Sequence, residues 1–242
     1  MNIDFHTHTC YSYDSWMLPE KIVAIAKARG LDGIVICDHD TIRGGIEAQK
    51  SNKDPHFQVI VGAEIKTTAG DITGLFLKEE IVSREVNAVL DEIKAQGGRT
   101  LLNHPYQAHD LSKIDFDKID FIEGFNARVS PEQNRKAVEL AQRYGKPVLS
   151  GSDAHLYGEI GNAYTEVADL RDLVPVKHTT RYSSFYYIAR SQYIKALKRK
   201  SMSVFLRTTK ILIKRVVLSG GATKLSAFFR NLVGRQISQN DG

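Results

Sequence analysis

Two histidines stand at the start of the chain's chemistry. In MNIDFHTHTCYSYDSW, His6 and His8 are two residues apart, directly after a short hydrophobic run. On a β-strand that spacing projects both imidazoles to one face, with Asp4 on the same face. Paired imidazoles can grip a metal. Further cation-binding residue types recur along the chain: Asp14 in SYDSW, His39 in CDHDT, Glu64 in VGAE, His104 in NHPY, Glu123 in FIEGFN, and Asp153 with His155 in SGSDAH. Of the eight histidines, His6, His8, His39, His104 and His155 belong to this series, leaving His56, His109 and His178 outside it. A mixed imidazole and carboxylate set suits Zn, Mn or Fe better than Ca or Mg alone. Nine candidate ligands imply more than one ion. Ions about 3.5–4 Å apart activate water and stabilise the oxygens of a phosphoryl displacement, so hydrolysis is the chemistry made available.

The elements that must position these residues alternate in type. Up to about residue 168, short β-branched runs (NIDFH, GIVICDH, FQVIVGAE, ITGLFL, RTLLNHP, FIEGFN, KPVLSGSD and a weaker AYTEVAD) alternate with amphipathic stretches. PEKIVAIAKARG, EVNAVLDEIKAQGG and PEQNRKAVELAQRYG have apolar residues at helical spacing and end in Gly. That alternation predicts parallel strands joined by helices, an α/β chain. The metal-capable residues lie at or just past the C-terminal ends of the strands, and in a closed β/α barrel those ends surround one mouth. Residues distant in sequence would converge there. Asp38 and Asp40, flanking His39, are expected to point away from it and to orient or cap.

Taken in order, DFHTHTCYSYDS, GIVICDHDTIRGG, VGAE, NHPY, IEGFN and SGSDAH resemble the successive motifs of the PHP (polymerase and histidinol phosphatase) superfamily across roughly residues 1–168. The resemblance implies a distorted (β/α)7 barrel and a cluster of two or three divalent metal ions (Zn, Mn or Fe) that hydrolyses phosphoesters with a metal-bridging hydroxide. It implies that His6, His8 and Asp153 hold one metal with a bridging Glu64, that Glu64, His104 and Glu123 hold a second, and that Asp14, His39 and His155 hold a third. Glu64, Asp153 and His155 are then the catalytic candidates. Phosphate also calls for cations beside the metals, and Arg128 after FIEGFN and Arg43 in DTIRGG are placed to bind substrate. The expected substrates are small phosphomonoesters such as nucleotides, or oligonucleotide ends. The alternative is a metal-stabilised, non-catalytic binding or regulatory module.

Charge divides the chain of 242 residues. Residues 179–242 hold 13 Lys and Arg against a single acid, Asp241, whereas the other 178 residues hold 20 basic against 27 acidic side chains. The expected organisation is a metal-binding barrel over 1–178 and a basic, amphipathic helical C-terminal extension over 179–242. The first part of the extension is expected to dock on the barrel. The part beyond Lys198, which includes a second stretch, LSAFFRNLVGR, is expected to meet an anionic membrane surface or nucleic acid. Its apolar runs are too short and too charged for a transmembrane segment. Cys10 and Cys37 are expected to be unpaired, and with no leader-like segment the expected location is the cytoplasm or the periphery of a membrane.

Overall fold

The computed structural model describes residues 1–170 and 172–218. Nine strands form one sheet: β1 (Asn2–Thr7), β2 (Gly33–His39), β3 (Gln58–Thr67), β4 (Gly70–Leu75), β5 (Arg99–Leu102), β6 (Phe121–Asn126), β7 (Val148–Gly151), β8 (Ala163–Val167) and β9 (Pro175–Thr180). Their spatial order is β7-β6-β5-β4-β3-β2-β1-β8-β9. The sheet curls into a nearly closed barrel, because Ala154, just past β7, bridges to Thr7 and exchanges backbone hydrogen bonds with His6 and His8. The expected distorted barrel is therefore the fold.

Not every strand runs with the others. β1, β2 and β3 are parallel, as are β5, β6 and β7, but β4 is antiparallel to both its neighbours. Only Thr68 and Ala69 separate β3 from β4, too short a link for a crossover helix, so the chain reverses in a hairpin. β8 and β9 also pair antiparallel.

The helices before β8 are α1 (Pro19–Ala28), α2 (Arg43–Ser51), α3 (Val86–Ala95) and α4 (Pro131–Tyr144). α4 shows why the local sequence folds this way. Ser130 and Gln133 form a capping box, Pro131 occupies the first turn, and Gly145 adopts φ +61° at the C-terminus. α1 buries Ile22, Val23 and Ala26 in a cluster with Ile34 and Ile36 of β2, while α3 buries Val86, Val89, Leu90 and Ile93. α2 escaped the sequence reading because its RGGIEAQKS opens with two glycines, which weaken helix propensity. Gly44 is nonetheless required there, since a Cβ would stand 1.9 Å from Asp38 Oδ2.

The contacts divide the chain into two compact units, Met1–Ser183 and Ser184–Gly242. The expected boundary at 178/179 thus falls inside β9, which the sequence reading did not mark as a strand; its Val176 and Lys177 are exposed, so no buried face advertised it. In the second unit, α5 (Phe185–Lys198) and α6 (Met202–Leu218) pair through Tyr193, whose hydroxyl is 2.9 Å from Thr209 Oγ1 and whose ring packs edge-on against Phe205. The stretch LSAFFRNLVGR lies outside the described residues. Among them, no helix is long and apolar enough to cross a membrane.

Candidate metal centre

The barrel interior is apolar at one level and polar at the next. Phe5, Val35, Ile60, Leu101, Phe121 and Leu149 belong to one buried cluster. Two or four residues further along, the same faces carry Glu64, Asn103 and Glu123, all buried. β1 reaches this layer through an irregularity: Asp4 pairs with Ile34 but Thr7 with Ile36, so one extra residue lies between them. The Asp4 side chain is consequently turned from the imidazoles it was expected to accompany, and meets His6 through its backbone N at 3.3 Å. Its carboxylate accepts from Ser152 N, Ser152 Oγ and Gly161 N, tying β1 to the segment after β7. The turn past β7 starts at Gly151, where a Cβ would lie 2.3 Å from His6 Cβ.

Hydrogen bonds fix how the imidazoles face. Ser12 Oγ donates to Asp38 Oδ1 (2.7 Å) and accepts from His39 N, so His8 Nδ1, 3.0 Å away, must be the donor of that pair. Asp38 also accepts from Thr9 N and Thr9 Oγ1 at 2.6 Å each. That makes Asp38 the anchor of the HTHT segment, the orienting role expected of it. His6 Nδ1 donates to Glu123 Oε1 at 2.9 Å, and His155 Nδ1 donates to the Asp153 carbonyl at 2.8 Å. When neutral, all three rings carry the lone pair on Nε2, the tautomer that binds metals.

Those nitrogens meet carboxylates at coordination spacing. His6 Nε2 and His8 Nε2 are 3.1 Å apart. Glu64 Oε2 is 3.6 and 3.5 Å from them, and Asp153 Oδ1 is 3.6 and 3.4 Å from them. Tetrahedral bonds of about 2.0–2.1 Å put neighbouring ligand atoms about 3.3–3.4 Å apart. The donor set fits a divalent ion in size and chemistry. Asp153 is held for this geometry at φ +51°, a backbone state that costs energy in a non-glycine residue. Its other oxygen accepts from Asn126 Nδ2 at 3.2 Å.

Two further groups adjoin this one. Asp14 faces His39 Nε2 (3.3 Å) and His155 Nε2 (3.2 Å), and His39 Nδ1 lies 3.0 Å from Glu64 Oε2. The three residues assigned to a third ion are therefore together, with the Tyr13 ring stacked on His39. On the other side, Glu64 Oε1 lies 3.1 Å from His104 Nε2, while His104 Nδ1 is buried with no hydrogen-bond partner among the described residues. Here the placement departs from expectation. Glu123 stands behind His6, and its Oε2 accepts from His104 N (2.8 Å) and Asn126 Nδ2 (3.1 Å), so both its oxygens are turned to protein donors. The carboxylate beside Glu64 and His104 is instead Asp71, the three offering ligand atoms within 4.8 Å of one another. Asp71 follows Gly70 at the start of β4, and His109, absent from the expected site, packs on that glycine and accepts from Asp71 N at 2.9 Å.

The two arginines differ. Arg43 is exposed, its guanidinium 5.0 Å from the Tyr11 ring centroid. Arg128, expected to bind substrate, is half-buried, 3.4 Å from Glu159 and donating to the Asp153 carbonyl, so it also braces the turn past β7. Cys10 and Cys37 form no disulfide among the described residues, and Cys37 is buried near His6 and His8.

Charge in the cluster is balanced by protons. Burial opposes ionisation of Glu64, Asp153 and Asp14, yet neighbouring imidazoles hold all three well below the usual carboxylate range. Burial likewise pulls His104 down, but its hydrogen bond to Glu64 and that carboxylate's charge outweigh this and raise it to about 9. His8 is lowered to about 3, by burial first and by His155 and His39 next, so it stays neutral. A buried carboxylate cluster needs cations, and in their absence protons on its imidazoles supply them.

Comparison with known proteins places this geometry. A family model described as PHP-associated matches residues 131–174, from α4 through β7 to β8. The uncharacterized protein MJ1587 of Methanocaldococcus jannaschii is 39% identical over 141 residues, which cover 52% of this chain and 82% of that protein. A 5'-3' exoribonuclease of Haemophilus influenzae is 39% identical over 64 residues, 26% of this chain and 23% of that enzyme. Among solved structures, a two-domain protein containing a predicted PHP-like metal-dependent phosphoesterase, from Bacteroides vulgatus, superposes with a TM-score of 0.58 at 18% identity, over 72% of this chain and 61% of that one.

Proposed function

The chain belongs to the PHP superfamily, and on that premise we propose that it is a metal-dependent phosphoesterase acting on small phosphomonoesters such as nucleotides, or on oligonucleotide ends. The observation that carries the reading is Glu64. Its Oε2 faces His6, His8 and His39, and its Oε1 faces His104, so one carboxylate serves two donor groups. In this reading His6, His8, Glu64 and Asp153 hold one divalent ion, Glu64, His104 and Asp71 a second, and Asp14, His39 and His155 a third. The imidazole-rich set favours Zn, Mn or Fe.

When bound, such ions lower the pKa of water and neutralise charge on phosphoryl oxygens. The chain's own residues supply the rest. Glu123, Ser12 and the Asp153 carbonyl hold His6, His8 and His155 in one tautomer, so no reorientation is needed when substrate arrives. The apolar floor of the barrel keeps the cluster dry and strengthens its electrostatics. His155, its Nδ1 held by the Asp153 carbonyl, presents Nε2 beside Asp14 in the outer group. Arg43 is the exposed cation for a substrate phosphate. The short match to an exoribonuclease supports nucleotides or oligonucleotide ends as substrates.

The test is metal content together with turnover. Protein purified without chelator should contain at least two transition-metal ions per chain and should hydrolyse an aryl phosphate and members of a nucleotide panel. A metal-free protein that is folded and active would refute the metal assignment. A metal-loaded protein inert toward nucleotides, sugar phosphates and oligonucleotides would point to the binding-module alternative.

A further inference from the structure

α6 carries apolar side chains on its open face. Met202, Leu206, Ile213 and Phe205 are 68%, 59%, 46% and 38% exposed. At 100° per residue these four positions fall within an arc of about 100°. Lys210, Lys214 and Arg207, all exposed, occupy the adjoining arc of about 60°. Ile211 lies beyond that basic strip. Thr208 and Leu212, on the remaining side, are buried.

Exposed apolar residues beside a lysine strip are the arrangement of a helix that lies in the plane of a membrane surface, apolar band in the acyl boundary and cations among headgroups. Charge selects the partner. Residues 184–218 contain nine Lys and Arg and no Asp or Glu. A second copy docking through the same face would bring two such surfaces together. Nucleic acid would match the cations but would leave Met202, Leu206 and Ile213 without an apolar counterpart. An anionic lipid surface satisfies both bands. We propose that α6 is an interfacial anchor that binds anionic bilayers through its Met202, Phe205, Leu206 and Ile213 face, with Arg207, Lys210 and Lys214 at the headgroups. This holds independently of the catalytic reading.

The test uses the full chain and phosphatidylcholine vesicles with and without phosphatidylglycerol, read by co-sedimentation. Binding should require the anionic lipid and weaken with salt. Lys210→Gln with Lys214→Gln should reduce partitioning by roughly 30-fold, on the scale expected for two lysines near a charged surface. Leu206→Ser with Ile213→Ser should reduce it by about tenfold or more while keeping the salt dependence. Circular dichroism of each variant separates lost binding from lost folding. Equal binding to neutral vesicles, no vesicle binding, binding to single-stranded RNA in place of vesicles, or self-association abolished by Leu206→Ser would each overturn the proposal.

Discussion

Replacing Glu123 with Gln tests whether this carboxylate orients His6 or binds an ion itself. Glu123 accepts three protein donors: His6 Nδ1 at 2.9 Å, His104 N at 2.8 Å and Asn126 Nδ2 at 3.1 Å. Gln keeps the shape but turns one oxygen into a donor. If the new NH2 replaces Oε2, it confronts the Asn126 side chain, which keeps Asp153 as acceptor, and the His104 amide, a donor left without one. If it replaces Oε1, His6 Nδ1 must become the acceptor, and the proton moves to Nε2, where it blocks the lone pair facing His8, Glu64 and Asp153. Each unsatisfied buried donor costs about 1–3 kcal/mol, and loss of an orienting partner lowers metal affinity by roughly 10–100-fold. The expected result is therefore full metal content at saturation with roughly 10–100-fold weaker binding of one ion, measured by competition against a calibrated chelator. Loss of a whole equivalent at saturation would mean that Glu123 is a ligand, as the family resemblance implies. Unchanged affinity would refute both roles.

Glu64→Gln should reduce turnover at saturating metal by more than the roughly 100-fold scale of orienting partners, and by more than Asp14→Asn, because Glu64 faces both adjoining donor groups; the reverse ranking in steady-state assays would remove it from the shared position. Arg128→Ala strands buried Glu159, so it should cost about 3–5 kcal/mol in denaturant unfolding; a raised KM with unchanged stability would instead restore the substrate contact. Titration gives a signed prediction as well. His104, raised to about 9, carries a proton at neutral pH that an incoming ion must displace. Metal affinity should rise with pH up to about 9, with proton release visible by calorimetry in buffers of different ionisation enthalpy. The same shift contributes stability to the cation-free fold below the ordinary histidine value of 6.5, and that contribution is lost as pH rises through about 9. A metal affinity flat from neutral pH to 9 would refute the protonated His104.

Much of the barrel is legible in the sequence because each signal is local. The continuous β-branched run in FQVIVGAE, the Pro and Gly that bracket α4, and metal-capable residues just past apolar strands are all read from neighbouring side chains. So did the gathering of His6, His8, Asp14, His39, Glu64, His104, Asp153 and His155, given strands that run one way. Asp71 was hidden by that premise. In an antiparallel strand the end at the mouth is the first residue rather than the last, and β4 is antiparallel to both neighbours. The extra residue in β1 similarly turned the Asp4 side chain from the His6 imidazole, since one residue of slip turns a side chain to the opposite face. Glu123 and Arg128 were recognised as residues of the site region but not for their partners. Whether a carboxylate faces a cavity or the back of an imidazole, and whether a guanidinium meets solvent or a buried Glu159, depends on which distant segment packs against it. Tertiary structure alone makes that choice.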